Sequence, residues 1–166
     1  MNGAGRRTDA PRRLWWDWSD GWSGARLRNP GSAPEDALRL SVVGIATTKI
    51  LICDDEPHMR ELYRVVLGGD FEFHEVDDGS RALEVAREVE PDLLVLDWML
   101  PGASGSTVMA QFRADSRLQS TPILVISAWP HLAEEALRAG ADGFLAKPFD
   151  PQTLKETAAD LVRRQP

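Results

Sequence analysis

The sequence has a single cysteine, Cys53, among its 166 residues, and this excludes an intrachain disulfide framework. Because Cys53 lies inside an apolar run, it is interpreted as a small core residue. No apolar stretch approaches the roughly 18 residues that a membrane-spanning helix needs. The N-terminus contains arginine but lacks the apolar segment of a secretory signal. We therefore expect a cytoplasmic protein with no membrane span.

Most of the chain also lacks an excess of basic residues. Residues 1–46 hold seven Arg and five Asp or Glu, whereas residues 47–166 hold 12 Lys or Arg and 21 Asp or Glu. Nonspecific nucleic-acid binding needs basic side chains that neutralise phosphates. We therefore expect no direct nucleic-acid binding by the acidic part of the chain.

The three histidines do not have the spacing of a metal-ligand set; they are His58, His74 and His131. We therefore expect ordinary surface or packing roles for them. The last predicted helix ends close to Pro166. On that basis we expect no further domain after it.

Residues 1–46 show no sustained hydrophobic period and are rich in Gly, Arg, Pro, Ser and Trp. Four of the six tryptophans lie here: Trp15, Trp16, Trp18 and Trp22. This composition favours a disordered arm. Two alternatives stay open, namely an aromatic and basic docking segment for a partner or membrane surface, and an over-extended start of the reading frame.

A regular pattern begins near residue 49. Five predicted strands alternate with five amphipathic helices, and the strands are placed at 49–54, 71–76, 93–96, 123–126 and 143–146. One helical stripe, for example, is formed by Met59, Leu62, Tyr63 and Val66. The alternating polarity of 71–76 predicts a strand with one wet face near the sheet edge. The alternation as a whole predicts a parallel sheet covered by helices on both faces.

Polar residues follow the predicted strands at their carboxyl ends. Asp54 and Asp55 end the first strand, Asp97 follows the third, Ser127 the fourth and Lys147 the fifth. In an open parallel sheet, ligand chemistry collects beyond the carboxyl ends of the strands. We therefore expect these side chains to meet at one edge of the sheet.

Such a cluster suits a divalent cation and a phosphoryl group. Two carboxylates about 4 Å apart repel by about 1 kcal/mol in water and about 4 kcal/mol at an effective dielectric near 20. A cation removes this repulsion, and oxygen ligands with retained water suit Mg²⁺. A carboxylate can also act as a nucleophile and form an aspartyl phosphate. Taken singly, Asp55 or Asp97 could instead cap a helix.

These segments together resemble the receiver domain of response regulators in two-component signalling. The resemblance rests on ILICDDEP at 50–57, LLVLDWMLPGASG at 93–105, ILVISA at 123–128 and GADGFLAKPF at 140–149. It covers about residues 48–165 and places a receiver domain at 47–166 after an arm at 1–46. It implies an α/β fold: a (βα)5 flavodoxin-like three-layer sandwich with a parallel five-stranded sheet of order 2-1-3-4-5.

The resemblance assigns the phosphoacceptor role to Asp97. The donor would be a sensor histidine kinase or a histidine phosphotransfer protein. Asp55, Asp97 and the backbone carbonyl of Met99 would hold Mg²⁺, with Asp54 acting mainly through water. The chain would not be an enzyme in the usual sense, since it would catalyse only its own phosphorylation and dephosphorylation.

Two further residues would contact the phosphoryl oxygens, namely Ser127 through its hydroxyl and Lys147 through its ammonium. By resemblance, Lys147-Pro148 is expected to be the family's cis X-Pro link. The switch would couple Ser127 to Phe144, for which plain core packing is the alternative. The readout surface would be the fourth helix, the fifth strand and the fifth helix, about residues 129–162.

This readout surface would bind an unknown downstream protein, with a homodimer through the same surface as an option. Met99 and Trp129 occupy the positions that tune phosphoryl lifetime in the family. Neither can orient a water through a charged group, and the indole of Trp129 could shield the phosphoryl group. The resemblance therefore implies slow self-dephosphorylation.

Three other classes of protein share part of this pattern. An unphosphorylated pseudo-receiver scaffold would share the fold but not the reaction. A flavin-binding electron-transfer protein should have a phosphate-cradling loop after the first strand, where Asp54-Asp55-Glu56 would instead repel a phosphate. A phosphatase with an aspartate nucleophile usually has a second Asp two residues later, where this chain has Met99.

Overall fold

The computed structural model describes residues 47–69 and 71–164, so the predicted arm at 1–46 lies outside the described residues. Within them, five strands alternate with five α-helices, as predicted. In chain order they are β1 Thr48–Cys53, α1 Pro57–Leu67, β2 Phe71–Val76, α2 Gly79–Val89, β3 Leu93–Asp97, α3 Gly105–Ala114, β4 Ile123–Ser127, α4 Ala133–Arg138, β5 Gly143–Ala146 and α5 Pro151–Arg163. None of the described helices is long and apolar enough to cross a membrane.

The sheet is parallel and has the order β2-β1-β3-β4-β5, which confirms the fold predicted from the resemblance. Cys53, the last residue of β1, is level with Leu96 of β3. Asp97 is level with Ile126, and Ser127 is level with Ala146. The carboxyl ends of the four neighbouring strands β1, β3, β4 and β5 therefore lie side by side, as the sequence pattern requires.

Side chains of β1 alternate between two cores, one on each face of the sheet. Leu51 and Cys53 belong to the core under α2 and α3, whereas Ile50 and Ile52 belong to the core under α1 and α5. All five residues of β3 and all five of β4 are buried, as expected for central parallel strands. Burial of one large aliphatic side chain contributes about 1.5–3 kcal/mol, so these two cores hold the strand ends in place.

Local signals in the sequence set the ends of several helices. Pro57 stands in the first turn of α1, where a missing N–H costs nothing. The side chains of Asp78, Ser104 and Asp150 accept hydrogen bonds from backbone amides at the starts of α2, α3 and α5. Gly140, the residue after the C-cap of α4, has φ of 107°, a conformation that favours glycine at a helix end.

Two details differ from the sequence-based expectation. Leu62 is 36% exposed, because the buried stripe of α1 runs through Tyr63 and Leu67 and leaves Leu62 at its margin. The fourth helix is only six residues long. It is preceded by a 3₁₀ turn over Pro130–Leu132, so the chain winds more tightly before it becomes α-helical.

Candidate functional site

Backbone hydrogen bonds continue the sheet just past the strand ends and fix the residues that follow. The amide of Asp54 donates to the carbonyl of Val76 at 3.1 Å, and the amide of Trp98 donates to that of Ile126 at 3.2 Å. The amide of Lys147 donates to the carbonyl of Ser127 at 2.8 Å. These bonds place the residues after β1, β3 and β5 at one edge of the sheet.

The side chain of Lys147 bridges two buried carboxylates at this edge. Its Nζ lies 2.6 Å from Oδ2 of Asp97 and 3.2 Å from Oδ2 of Asp54. It also lies 4.0 Å from Oε1 of Glu56, which is mostly exposed. The structure thus brings together three side chains from the ends of three strands, with one ammonium between two carboxylates.

Opposing effects act on the pKa of the Lys147 ammonium. Partial burial pulls the pKa down, but the hydrogen bond to Asp97 and the negative charges of Asp54 and Asp97 outweigh it, so the pKa is raised. Lys147 is therefore fully protonated at neutral pH. Its positive charge offsets part of the repulsion between the two carboxylates.

The second oxygen of each carboxylate accepts a hydrogen bond from a backbone amide. Oδ1 of Asp97 accepts a hydrogen bond from the amide of Met99 at 2.7 Å. Oδ1 of Asp54 accepts one from the amide of Glu56 at 2.8 Å. Both carboxylates are thereby fixed by the loop that follows their own strand, so their orientation is built into the local chain path.

Tyr63 contacts the carboxylate cluster, although the helical pattern of the sequence predicts only a packing role for it. Its side chain is buried, and its hydroxyl donates to Oδ2 of Asp54 at 2.9 Å. Burial raises the pKa of the phenol, and the charge of Asp54 and the hydrogen bond to Asp54 raise it further. One signal was available, since Tyr63 is the only tyrosine of the chain and puts a polar tip into an otherwise apolar stripe.

Ser127 and Phe144 lie on β4 and β5, the two strands that follow β3 in the sheet. Ser127 is buried, and its Oγ accepts a hydrogen bond from the amide of Trp129 at 3.2 Å. Phe144 is partly buried and packs against the core under α2 and α3. Ser127 therefore adjoins Lys147 through the backbone, and Phe144 stands on the strand that leads to Lys147.

Three of the predicted site residues are exposed. Asp55 lies directly after the buried Asp54 but is itself exposed, while Met99 is 64% exposed and Trp129 is 54% exposed. The indole of Trp129 makes an edge contact with the ring of His131, with 5.9 Å between the centroids. The Lys147–Pro148 peptide bond is cis.

The donor set can be tested against the implied magnesium ion. Among the described residues, no group of three or more His, Cys, Asp or Glu side chains could hold a metal ion. Mg²⁺ does not need such a group, because it usually keeps several waters and binds one or two carboxylates together with phosphate oxygens. Asp54 and Asp97 provide two buried carboxylates, and Asp55 follows Asp54 directly in the chain. These residues fit the ion.

Comparisons with known proteins agree with the geometry. Residues 50–159 match the family model of the response regulator receiver domain. The chemotaxis protein CheY of Pseudomonas aeruginosa is 38% identical over 120 residues, which cover 70% of this chain and 97% of that protein. The crystal structure of a response regulator from Chloroflexus aurantiacus J-10-fl has a TM-score of 0.67 at 31% identity, covering 70% of this chain and 98% of that one.

A second kind of relative is longer than the matched region. The protein named DNA-binding response regulator MtrA of Mycolicibacterium smegmatis is 39% identical over 119 residues. The match covers 70% of this chain but only 51% of that protein. The chain thus spans about half the length of the MtrA relatives that it matches.

Proposed function

Since this chain belongs to the response regulator receiver domain family, we propose that it accepts a phosphoryl group on Asp97 in a two-component phosphorelay. The donor is the phosphohistidine of a histidine kinase or of a histidine phosphotransfer protein. The observation that carries this proposal is the position of the Lys147 ammonium, 2.6 Å from the Asp97 carboxylate and 3.2 Å from that of Asp54. Asp97 thereby stands next to a fixed positive charge at the sheet edge.

In the transfer, an oxygen of Asp97 attacks the phosphorus, the bond from phosphorus to the histidine nitrogen breaks, and the imidazole leaves with that electron pair. The product is an acyl phosphate on Asp97. Lys147 turns from the carboxylates to a phosphoryl oxygen, and Ser127 donates its hydroxyl hydrogen to another. Because phosphoryl transfer depends mainly on positioning and charge stabilisation, these contacts supply much of what the reaction requires.

The magnesium ion would be held by Asp55, Asp97 and the backbone carbonyl of Met99, with Asp54 acting through water. When bound, it supplies positive charge that offsets the negative charge of the carboxylates and of the phosphoryl oxygens. The buried carboxylates and the phosphoryl group together provide the hard oxygen ligands that this ion prefers. Ser127 and Lys147 act on the phosphoryl oxygens themselves.

The phosphorylated state is read out on the surface formed by α4, β5 and α5. Ser127 is drawn toward the phosphoryl group, and the aromatic ring of Phe144 fills the space near it. Since phenylalanine has no hydroxyl, only packing holds this inward state. The partner is a downstream protein or a second copy of this chain, and the acidic balance of residues 47–166 disfavours DNA as a direct ligand.

Trp129 and Met99 set the lifetime of the acyl phosphate. Both side chains lie within two residues of a strand end, at the same edge as Asp97. Neither carries a charged group that would orient an attacking water. We infer slow self-dephosphorylation, with the indole of Trp129 shielding the phosphoryl group.

Intact-mass measurement after incubation with acetyl phosphate tests the proposal. The wild type is compared with Asp97→Asn, each with and without Mg²⁺. One added phosphate that needs Mg²⁺ and is absent in Asp97→Asn supports phosphoacceptor function. A wild type that gains no phosphate under any condition would favour an unphosphorylated pseudo-receiver scaffold.

A further inference from the structure

Tyr63 lies where the core of the protein touches the carboxylate cluster. It projects from α1, is 1% exposed, and stacks on Phe149 with 6.1 Å between the ring centroids. Its hydroxyl donates to Oδ2 of Asp54 at 2.9 Å. Packing thus fixes the ring of Tyr63, whereas its hydroxyl is hydrogen-bonded to a carboxylate of the cluster.

The contact gives the Tyr63 hydroxyl a hydrogen-bond acceptor, and it also gives the Asp54 carboxylate one of its two side-chain donors. Oδ2 of Asp54 accepts from Tyr63 at 2.9 Å and from Lys147 at 3.2 Å. Lys147 makes its shorter contact with Asp97, at 2.6 Å. Tyr63 is therefore the closer of the two donors on that oxygen, and unlike Lys147 it is held by the core.

We propose that Tyr63 is a positioning residue, whose hydroxyl keeps the Asp54 carboxylate in place when Lys147 leaves it for the phosphoryl group. This inference rests on the proposed function. Without Tyr63, Oδ2 of Asp54 would lose its remaining side-chain donor as Lys147 moves, while Oδ1 stays bound to the amide of Glu56. The carboxylate could then rotate about that single contact and no longer face the metal site.

The alternative is that Tyr63 acts only in packing. Tyr63→Phe separates the two roles, because it keeps the ring and its stacking on Phe149 and removes only the hydroxyl. A matched control is Leu67→Val, which trims a buried residue one turn later in α1. This control substitution would loosen the same helix without altering any donor to Asp54.

The first experiment measures the Mg²⁺ dependence of phosphorylation by acetyl phosphate in the full chain. Partners that orient metal ligands typically contribute about 10–100-fold in metal affinity. We expect Tyr63→Phe to raise the half-saturating Mg²⁺ concentration about tenfold. The rate at saturating Mg²⁺ should stay close to that of the wild type, since Asp97 and Lys147 are intact. Leu67→Val should leave the half-saturating concentration unchanged.

Two results would overturn the inference alone: an unchanged half-saturating concentration in Tyr63→Phe, or an equal rise in Tyr63→Phe and Leu67→Val. A wild type that is never phosphorylated would overturn the proposed function and this inference with it. The two failures are therefore distinguishable.

A second experiment needs no substitution at Tyr63. Since the chain has one tyrosine, incorporation of 3-fluorotyrosine gives a single ¹⁹F resonance from that residue. We expect this resonance to shift in Asp54→Ala, which removes the acceptor, and to keep its wild-type position after phosphorylation with Mg²⁺. A resonance that moves on phosphorylation to its position in Asp54→Ala would show that the contact breaks, and would contradict the proposal.

Discussion

The ammonium of Lys147 lies 2.6 Å from the carboxylate of Asp97, although 50 positions separate the two residues along the chain. The contact forms because β3 and β5 flank β4 and end at the same edge of the sheet. The same ammonium also contacts Asp54, so one cation balances two buried carboxylates. Under the proposed function, this cation would pair with the phosphoryl group after transfer.

Removal of Lys147 should destabilise the metal-free protein. In Lys147→Met the two buried carboxylates lose their shared cation, and breaking a buried pair in this way typically costs about 3–5 kcal/mol. We expect the free energy of unfolding to fall by about 3 kcal/mol, the lower end of this range, because Lys147 is only partly buried and loop relaxation reduces the penalty. Urea unfolding without Mg²⁺ measures it.

The exposed residue Lys155 in α5 provides the control for that experiment. Lys155→Met removes an equal charge and should leave the free energy of unfolding nearly unchanged. Saturating Mg²⁺ should restore part of the stability of Lys147→Met, since it replaces the lost positive charge. Equal stability of Lys147→Met and the wild type without Mg²⁺ would refute the bridging role.

The stabilising contribution of Lys147 should be lost only at high pH. Its folded pKa lies above the ordinary value of 10.5. A group whose pKa is raised on folding contributes stability that is complete below its unfolded pKa and is lost as the pH rises through its folded pKa. The difference in unfolding free energy between the wild type and Lys147→Met should be constant from about pH 7 to about pH 9 and decline only above the unfolded pKa of about 10.4. A decline already at neutral pH would contradict the raised pKa.

Arg113 should stabilise the turn between α4 and β5. Its guanidinium donates to the carbonyl oxygens of Gly140, Gln119 and Thr121 and to the carboxylate of Asp142. Lysine cannot reproduce this fork of donors. We expect Arg113→Lys to lower the free energy of unfolding by about 1–3 kcal/mol, as measured by urea denaturation. Arg117→Lys, at an exposed site nearby in sequence, should have little effect, and a similar loss in both variants would contradict the account.

Replacement of Trp129 by serine should speed the loss of the phosphoryl group. The indole no longer shields the acyl phosphate, and water gains access to it. We expect about a fivefold faster decay, equivalent to about 1 kcal/mol in the barrier. Intact mass after removal of acetyl phosphate follows the decay, with Val65→Ser, a change of an exposed apolar residue in α1, as the control that keeps the indole and its contacts. An unchanged half-life in Trp129→Ser would rule out shielding.

Much of the fold could be predicted from the sequence, because buried parallel strands and amphipathic helices leave clear hydrophobic periods. The runs that became β3 and β4 are continuous apolar segments, and their ends could be identified from Asp97 and Ser127. The meeting of Lys147 with Asp97 followed from the rule that parallel strands end at one edge. The tight 3₁₀ turn before α4 was not visible, since its residues also fit a regular helix.

The partners of individual side chains were less predictable. A helical period places Tyr63 on the buried face of α1 but does not say which atom its hydroxyl reaches. The same period misplaced Leu62, because the width of the buried stripe depends on how α1 packs against its neighbours. Such contacts depend on the reach and rotamer of single side chains, and these are set only once the elements have packed.

The most direct test of the central claim is to locate the phosphoryl group by chemistry. The chain is phosphorylated with acetyl phosphate and Mg²⁺, reduced with borohydride, digested and mapped by mass spectrometry; the reduction turns an aspartyl phosphate into homoserine. The proposed function predicts homoserine at position 97 and unmodified aspartate at positions 54 and 55. Homoserine at another aspartate, with Asp97 intact, would contradict it.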